Sequence, residues 1–225
     1  MTKKAVILLS GGLDSATVLA LAKSEEYEIY AISFSYGQRH NVELDKAREI
    51  AKSANVTEHK IVEIDLRAFG GSALTDDIAV PKSDNVDDIN DEIPVTYVPA
   101  RNLIFLSYAL GYAETLQSQN IFIGVNALDY SGYPDCRPDF IKSFEQTANF
   151  ATAAGIGDKK FTIHTPLMEK TKAEIIKLGL ELGVDYSKTL SCYDPIDGDK
   201  PCGHCDSCLL RNKGFSENRM TDPSI

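Results

Sequence analysis

Residues 4–18 read KAVILLSGGLDSATV, a short apolar run that leads directly into two glycines and then into a helical pattern. An uninterrupted apolar run of this length is typical of a strand buried on both faces of a parallel sheet. After the glycines, the apolar residues Val18, Leu19 and Ala22 follow the spacing of a helix. The stretch therefore predicts a strand, a tight glycine loop and a helix at the start of an α/β fold.

The rest of the chain repeats this alternation. Further strands are predicted at residues 27–34, 60–64, 120–125 and 160–164, and further helices at residues 42–54, 101–116, 139–153 and 172–182. Strands that alternate with helices form right-handed βαβ units, which predicts a doubly wound, mainly parallel sheet with all strand carboxyl ends on one edge. Ligands bind at that edge in such folds. We expect one α/β domain over residues 1–186 and a small C-terminal segment over residues 187–225.

The composition argues against several classes of protein. The chain has 225 residues, with 23 Lys and Arg against 33 Asp and Glu, so its formal net charge is −10. Phosphate backbones repel such a charge, and nucleic acid is therefore not an expected partner. No apolar run approaches the roughly 20 residues that a membrane span needs, and residues 5–9 are too few for the core of a signal peptide. We expect a cytoplasmic protein with no membrane partner.

One long segment lies outside the strand and helix pattern. Residues 75–99 contain three prolines, and seven acidic residues against the single basic residue Lys82. A loop of this length inside a compact domain is typically a lid, a binding loop or a disordered segment.

The glycine loop has the composition of a phosphate-binding site. Gly11 and Gly12 lack Cβ atoms, so their N–H groups can approach an anion closely, and the following helix N-terminus adds unpaired N–H donors. Ser10 and Ser15 add hydroxyl donors. Asp14 fits either as a helix-capping group or as a ligand that brings Mg²⁺ to a triphosphate. The alternative for the whole stretch is a tight turn with a serine cap and no ligand.

Two basic elements at predicted helix starts could complete a nucleotide site. Arg101 offers a bidentate grip on phosphate, and Asn102 could contact the adenine or the ribose. The alternative for Arg101 is a pair with the acidic loop. Lys170 or Lys172 could also reach the phosphates, or both could be solvated surface residues. The candidate catalytic residues are Asp14, Ser15, Arg101 and Lys170.

The cysteines are concentrated near the C-terminus. Cys202, Cys205 and Cys208 are spaced two residues apart, and Cys192 lies upstream. Four thiolates in this arrangement suit a closed, structural Zn²⁺ site with no open position for chemistry. An iron–sulfur cluster is the main alternative, although its characteristic run has the fourth cysteine downstream. The remaining cysteine, Cys136, is interpreted as structural rather than as a nucleophile.

A turn-rich segment follows the strand predicted at residues 120–125. Residues 124–140 read GVNALDYSGYPDCRPDF and combine carboxylates, an arginine and tyrosines at the expected ligand edge. A carboxylate can accept the N–H groups of a guanine-type ring, and an arginine can hold a substrate carboxylate. The alternative is a loop of solvated or helix-capping acids. The candidate substrate-binding residues are Asp129, Tyr133, Asp135, Arg137 and Asp139.

Two family resemblances rest on these motifs. SGGLDS at residues 10–15 resembles the PP-loop of ATP pyrophosphatases, in which the loop holds the β,γ-pyrophosphate of ATP and the α-phosphate is attacked. This motif, VPARN at residues 98–102, the 124–140 segment and the cysteine spacing C-x₉-C-x₂-C-x₂-C occur in this order over the whole chain. Together they resemble the 7-cyano-7-deazaguanine synthase family of queuosine precursor synthesis.

The second resemblance implies a substrate, cofactors and site residues. It implies 7-carboxy-7-deazaguanine as the substrate, ammonia as the nitrogen donor, ATP with Mg²⁺, one zinc ion on the four cysteines, and a homodimer. It also implies that the ATP-binding loop consists of Leu8, Leu9, Ser10, Gly11, Gly12, Leu13, Asp14, Ser15, Ala16, Thr17 and Val18.

Three other functions remain open at this point. A PP-loop enzyme that modifies tRNA would need a basic face, which the net charge argues against. A zinc-stabilised nucleotide-binding module would show no turnover. An ammonia-using ligase for a different acid, of the NAD- or GMP-synthetase type, is opposed only by residues 124–140.

Overall fold

The computed structural model describes residues 2–89, 92–128 and 132–225, and its centre is a parallel sheet of five strands. The strands are β1 (Lys4–Leu8), β2 (Glu28–Ser35), β3 (Glu58–Glu63), β4 (Asn120–Phe122) and β5 (Thr162–His164). Their order across the sheet is β3-β2-β1-β4-β5, and the four pairings are parallel. Strand order reverses between β1 and β4, so the loops that leave these two strands diverge there.

Helices cover both faces of this sheet. They are α1 (Leu13–Ser24), α2 (Val42–Ser53), α3 (Arg101–Leu116), α4 (Pro138–Ala151), α5 (Ala153–Ile156), α6 (Lys172–Glu181) and α7 (Asp206–Glu217). Alternate residues of β1 join different cores: Val6 packs with side chains of α3 and α4, whereas Ile7 packs with those of α1, α2 and α6. The predicted doubly wound α/β class is therefore confirmed. Within the described ranges, no helix is long and apolar enough to cross a membrane.

Two helical features differ from the sequence prediction. The helix predicted over residues 139–153 divides at Thr152, whose backbone is extended and whose hydroxyl accepts a hydrogen bond from the Gly155 N–H as the cap of α5. Helix α7 was not predicted, because its buried face contains polar residues such as Ser207 and Arg211 as well as Phe215. Apolar periodicity, the signal used to find the other helices, is weak in such a helix.

The acidic loop contacts the C-terminal segment. The Lys82 ammonium lies 2.9 Å from an Asp194 carboxylate oxygen, and His204 Nδ1 lies 2.8 Å from Asp84 Oδ1. The Ser83 N–H also donates to the His204 carbonyl at 2.8 Å. These contacts hold this part of the loop against the cysteine-rich segment, and its action as a lid stays a prediction.

Candidate active site

A cavity of about 220 Å³ opens at the carboxyl edge of the sheet, where the strand order reverses. Its walls come from the loops after β1, β2 and β4, from the start of α3 and α6, and from the C-terminal segment. This is the position at which doubly wound folds bind their ligands. The sequence prediction of a site at this edge therefore coincides with this cavity.

The glycine loop is held by its own serines. The Ser10 hydroxyl donates to Ser15 Oγ at 3.1 Å, and the Ser15 hydroxyl donates to the Gly12 carbonyl at 3.0 Å. Helix α1 begins immediately after Gly12, which provides no side-chain cap. The first N–H groups of the helix are therefore directed toward the loop, as an anion-binding helix N-terminus requires.

Gly11 has a packing role that the sequence alone did not indicate. Its φ is +89°, and a Cβ atom at this position would lie 2.2 Å from the Glu43 carbonyl oxygen and 2.9 Å from the Ala47 nitrogen. The missing side chain thus allows α2 to lie directly against the loop. A Cβ on Gly12 would meet Ser10 Oγ only at 3.4 Å, which is an ordinary contact.

Apart from Gly11, the implied ATP-binding stretch divides into two parts. Leu8, Leu9, Ser10, Gly12, Leu13, Asp14 and Ser15 line the cavity. Ala16, Thr17 and Val18 are buried inside α1. The Thr17 hydroxyl, for example, bonds the Leu13 carbonyl at 2.9 Å and Tyr186 Oη at 2.8 Å. Their burial indicates a role in fixing the helix rather than in contacting a ligand.

Lys172, and not Lys170, lies beside the glycine loop. The Lys172 ammonium is 2.8 and 3.0 Å from the two Asp14 carboxylate oxygens, and the residue is only 7% exposed. Lys170 lies in the turn before α6 and is not among the residues that line the cavity. Helix α6 begins at Lys172 behind a capping box of Thr171 and Glu174, which directs the first-turn lysine toward Asp14.

Arg101 lies at the start of α3 and lines the cavity. Its guanidinium donates to Tyr36 Oη at 3.4 Å and lies 5.7 Å from the centre of the Tyr36 ring. Among the described residues, its contacts are thus with the cavity wall rather than with the acidic loop. The guanidinium remains able to accept an anionic ligand.

The five candidate substrate residues have different environments. Tyr133 lines the cavity, and its Oη lies 2.8 Å from Thr96 Oγ1. Asp135 accepts from the Asn102 N–H at 2.9 Å and thereby caps α3, and burial raises the pKa of its carboxyl. Arg137 and Asp139 are exposed at the start of α4, away from the cavity. Asp129 lies outside the described residues.

Cys136 faces the cavity but has the environment of a neutral thiol. The Asn102 amide donates to its Sγ at 3.3 Å, and burial raises the pKa of the thiol to about 12. The thiolate is the nucleophilic form of cysteine. This environment agrees with the interpretation of Cys136 as a structural residue.

A group of polar residues after β2 was missed by the sequence analysis. The cavity lining includes Tyr36, Gln38, Arg39, His40 and Glu43. His40 Nε2 lies 3.2 Å from the Tyr193 carbonyl, whereas its Nδ1 is buried without a hydrogen-bond partner within the described chain. Burial lowers the pKa of His40 and raises that of Glu43 to about 7, with the Arg101 charge opposing the second shift. The available signal was that β2 ends at the same sheet edge as β1.

The C-terminal segment forms hydrogen bonds with the glycine loop and with the start of α1. The Leu13 N–H donates to Ser191 Oγ at 3.3 Å, and the Leu190 N–H donates to the Gly11 carbonyl at 3.1 Å. Behind Ser191, the buried Arg211 pairs with Asp222 through hydrogen bonds of 2.6 and 2.9 Å. Ser191 therefore satisfies one of the N–H groups that open α1.

The four cysteines form one compact cluster. The sulfur atoms of Cys192, Cys202, Cys205 and Cys208 all lie within 4.8 Å of one another. The Cys192 and Cys205 sulfurs are 4.0 Å apart, close to the roughly 3.8 Å that tetrahedral Zn–S bonds of about 2.3 Å imply. Hydrogen bonding with the Cys192 and Cys208 thiols lowers the pKa of Cys205, and the Cys202 N–H donates to Cys192 Sγ at 3.2 Å. The cluster thus fits a metal that binds thiolates.

Comparison with known proteins identifies the family. The sequence profile described as "Queuosine biosynthesis protein QueC" matches residues 4–219. The chain belongs to the QueC family. A relative from Rhodopirellula baltica, named 7-cyano-7-deazaguanine synthase, is 64% identical over 99% of this chain and 91% of its own length. A relative from Citrifermentans bemidjiense with the same name is 63% identical over 99% of this chain and 97% of its own length.

A solved structure agrees with the fold of this QueC family member. The structure of NMN synthetase from Francisella tularensis matches it with a TM-score of 0.56 at 19% sequence identity, covering 98% of this chain and 79% of that chain. At this identity the likeness concerns the fold alone. The resemblance that the motifs indicated is confirmed at the level of the family by the full-length relatives.

Proposed function

We propose that this member of the QueC family is a 7-cyano-7-deazaguanine synthase. It is an ATP-dependent ligase that converts 7-carboxy-7-deazaguanine and ammonia to the nitrile and releases AMP and pyrophosphate. The proposal rests on the observation that a PP-loop, Arg101 and Lys172 line one cavity. The chain that contains this site is about 60% identical to named synthases.

The chemistry explains the need for ATP. A carboxylate resists attack because of its charge and resonance, and adenylation turns one oxygen into part of an AMP leaving group. Ammonia then forms an amide as AMP departs. A second ATP activates the amide oxygen, and loss of AMP with the remaining N–H protons gives the nitrile. Positioning and charge stabilisation supply most of the catalysis in such transfers.

The phosphate site uses the loop and two cations. The N–H groups at the start of α1, with Ser10 and Ser15, would hold the β,γ-pyrophosphate. Of the two lysines that the sequence analysis considered for phosphate binding, Lys172 takes this role in place of the catalytic candidate Lys170, because its ammonium lies beside Asp14 at the loop. Mg²⁺ would neutralise phosphate charge, and Asp14 is the residue that would hold it. Arg101, which also lines the cavity, would contact the reacting acyl phosphate or the substrate carboxylate.

The substrate occupies the part of the cavity near Tyr133. Its ring, with that of Tyr36, provides an aromatic wall for a purine-like base. Asp135 supports this wall by capping α3 rather than by direct contact. In this proposal Arg137 and Asp139 stabilise the start of α4. Asp129 is kept as a candidate for hydrogen bonding to the edge of the purine ring.

The cysteine cluster holds one structural zinc ion. Four thiolates leave no open coordination position, so the metal stabilises residues 187–225 against the α/β domain of residues 1–186. Metal analysis of the purified protein tests this: iron with acid-labile sulfide, instead of zinc, would support the iron–sulfur alternative. A cytoplasmic homodimer completes the proposal, to be checked by light scattering.

The activity is tested with purified protein, Mg-ATP, ammonium and 7-carboxy-7-deazaguanine, with AMP, pyrophosphate and the purine product followed by mass spectrometry. Formation of the nitrile with AMP is expected. AMP without the nitrile would retain the ATP pyrophosphatase and reject the substrate. ADP, or no turnover with any acid, would reject the PP-loop chemistry and favour a non-catalytic module.

A further inference from the structure

Glu43 lies beside the phosphate loop because of Gly11. It is in the first turn of α2, and its backbone carbonyl occupies the space that a Cβ on Gly11 would need. This contact fixes the turn of α2 against the loop, and the Glu43 side chain lines the cavity. The Glu43 carboxylate also interacts electrostatically with Arg101, which the proposed function places at the reacting acyl phosphate or the substrate carboxylate.

The Glu43 carboxylate makes no stabilising polar contact in the described part of the chain. No hydrogen bond or ion pair of its side chain is found within residues 2–89, 92–128 and 132–225. Arg101 and Tyr36 act on it electrostatically, and Asp14, Arg39, His40 and Lys172 line the same cavity from other segments. A partly buried carboxylate without partners is costly, so its presence in a cavity indicates a functional role.

The amide-forming step requires a proton acceptor. When ammonia attacks the acyl adenylate, the nitrogen becomes positively charged, and a proton has to leave it before a neutral amide can form. The other titratable groups of the cavity are less suited to this role. The Asp14 carboxylate is engaged by Lys172, and burial keeps the Cys136 thiol protonated. His40 is a weakened base, because burial lowers its pKa.

We propose that the Glu43 carboxylate is the general base that takes the proton from the attacking ammonia nitrogen. The C–N bond forms, the bond between the acyl carbon and the phosphate oxygen breaks, AMP leaves with the electron pair, and one proton moves to Glu43 and then to solvent. This role rests on the proposed function. Burial raises the pKa of Glu43 to about 7, which matches a base that works near neutral pH.

The test separates adenylation from amide formation. Exchange of labelled pyrophosphate into ATP, dependent on 7-carboxy-7-deazaguanine and without ammonium, measures adenylation alone. Amide and nitrile formation with ammonium measures the step assigned to Glu43. The variant is Glu43→Gln, which keeps the size of the side chain, and the matched control is Glu49→Gln, an exposed glutamate of the same helix.

Glu43→Gln is expected to exchange pyrophosphate at nearly the wild-type rate and to form product about 10²–10³-fold more slowly. At a constant concentration of unprotonated ammonia, the wild-type rate should rise with pH through about 7 and then level, and this rise should vanish in the variant. Glu49→Gln should behave as wild type in both assays.

Three results would overturn the assignment. A Glu43→Gln enzyme with the normal rate and pH profile would show that Glu43 accepts no proton. Equal losses in exchange and product formation would show that Glu43 positions ATP or the acid instead. Loss of the pH-dependent rise in His40→Gln but not in Glu43→Gln would assign the proton to His40. Absence of exchange in the wild type would instead reject the proposed function.

Discussion

Replacement of Gly11 by alanine tests the contact between the phosphate loop and α2. The new Cβ would lie 2.2 Å from a backbone oxygen of Glu43, which cannot move without moving the helix. Gly183, after α6, is a matched control, because its φ is +76° but a Cβ there would meet nothing within 4 Å. Gly183→Ala therefore introduces backbone strain only, whereas Gly11→Ala introduces strain and a clash.

The expected losses of stability follow from these two contributions. A positive φ costs an alanine about 1–2 kcal/mol, and overpacking costs about 1–3 kcal/mol more. Gly11→Ala should therefore lower the free energy of unfolding by about 2–5 kcal/mol, and Gly183→Ala by about 1–2 kcal/mol. At about 2–4 °C per kcal/mol for a chain of this size, the Tm of the first variant should fall by roughly 4–20 °C.

Thermal unfolding at matched metal content and the KM for ATP are the measurements. Gly11→Ala should raise the KM for ATP, since the loop has to move away from α2, whereas Gly183→Ala should leave it unchanged. Equal changes in Tm for the two variants would refute the reasoning, because the clash with α2 would then contribute nothing. An unchanged KM in Gly11→Ala would show that the loop keeps its shape without this contact.

Three further predictions concern charged groups and the metal. Lys172→Met should reduce pyrophosphate exchange roughly 100-fold or more through loss of phosphate stabilisation, whereas Lys170→Met should retain it. Asp222→Ala leaves Arg211 buried without its carboxylate and should lower the free energy of unfolding in urea by about 3–5 kcal/mol. Removal of the metal proposed at the cysteine cluster with a chelator should lower both Tm and ATP affinity, measured by calorimetry before and after the metal is restored. An exchange-competent Lys172→Met, a stable Asp222→Ala or an unaffected metal-free protein would contradict them.

The fold and the two main motifs could be predicted because their signals are local. The apolar run at residues 5–9 and the glycines that follow it determine a strand and a loop without information from distant residues. Likewise, the spacing of three cysteines already places their sulfurs close together. Such signals survive in a single sequence, because they depend on neighbours along the chain.

The rest of the site depends on side-chain direction and on contacts between distant segments. Lys170 and Lys172 are two positions apart in the sequence. Because α6 begins at Lys172, the side chain of Lys172 is the one that reaches Asp14. In the sequence Glu43 is an ordinary acid in the first turn of a helix, because its proximity to the cavity arises from the packing of α2 on Gly11. No local pattern around Arg211 indicates that its side chain is buried against Asp222.

The C-terminal segment connects the metal cluster to the nucleotide site. Ser191, whose hydroxyl accepts from the Leu13 N–H, immediately precedes the metal-ligand candidate Cys192, and Leu190 holds the Gly11 carbonyl. The residue whose hydroxyl caps α1 is therefore anchored on one side by the cluster. Disorder at Cys192 would displace its neighbour Ser191, whose hydroxyl accepts a hydrogen bond from the Leu13 N–H. The first turn of α1, at the end of the glycine loop, would then lose this cap. A metal held by this cluster would thus be structural in its coordination and would still influence how well the enzyme binds ATP.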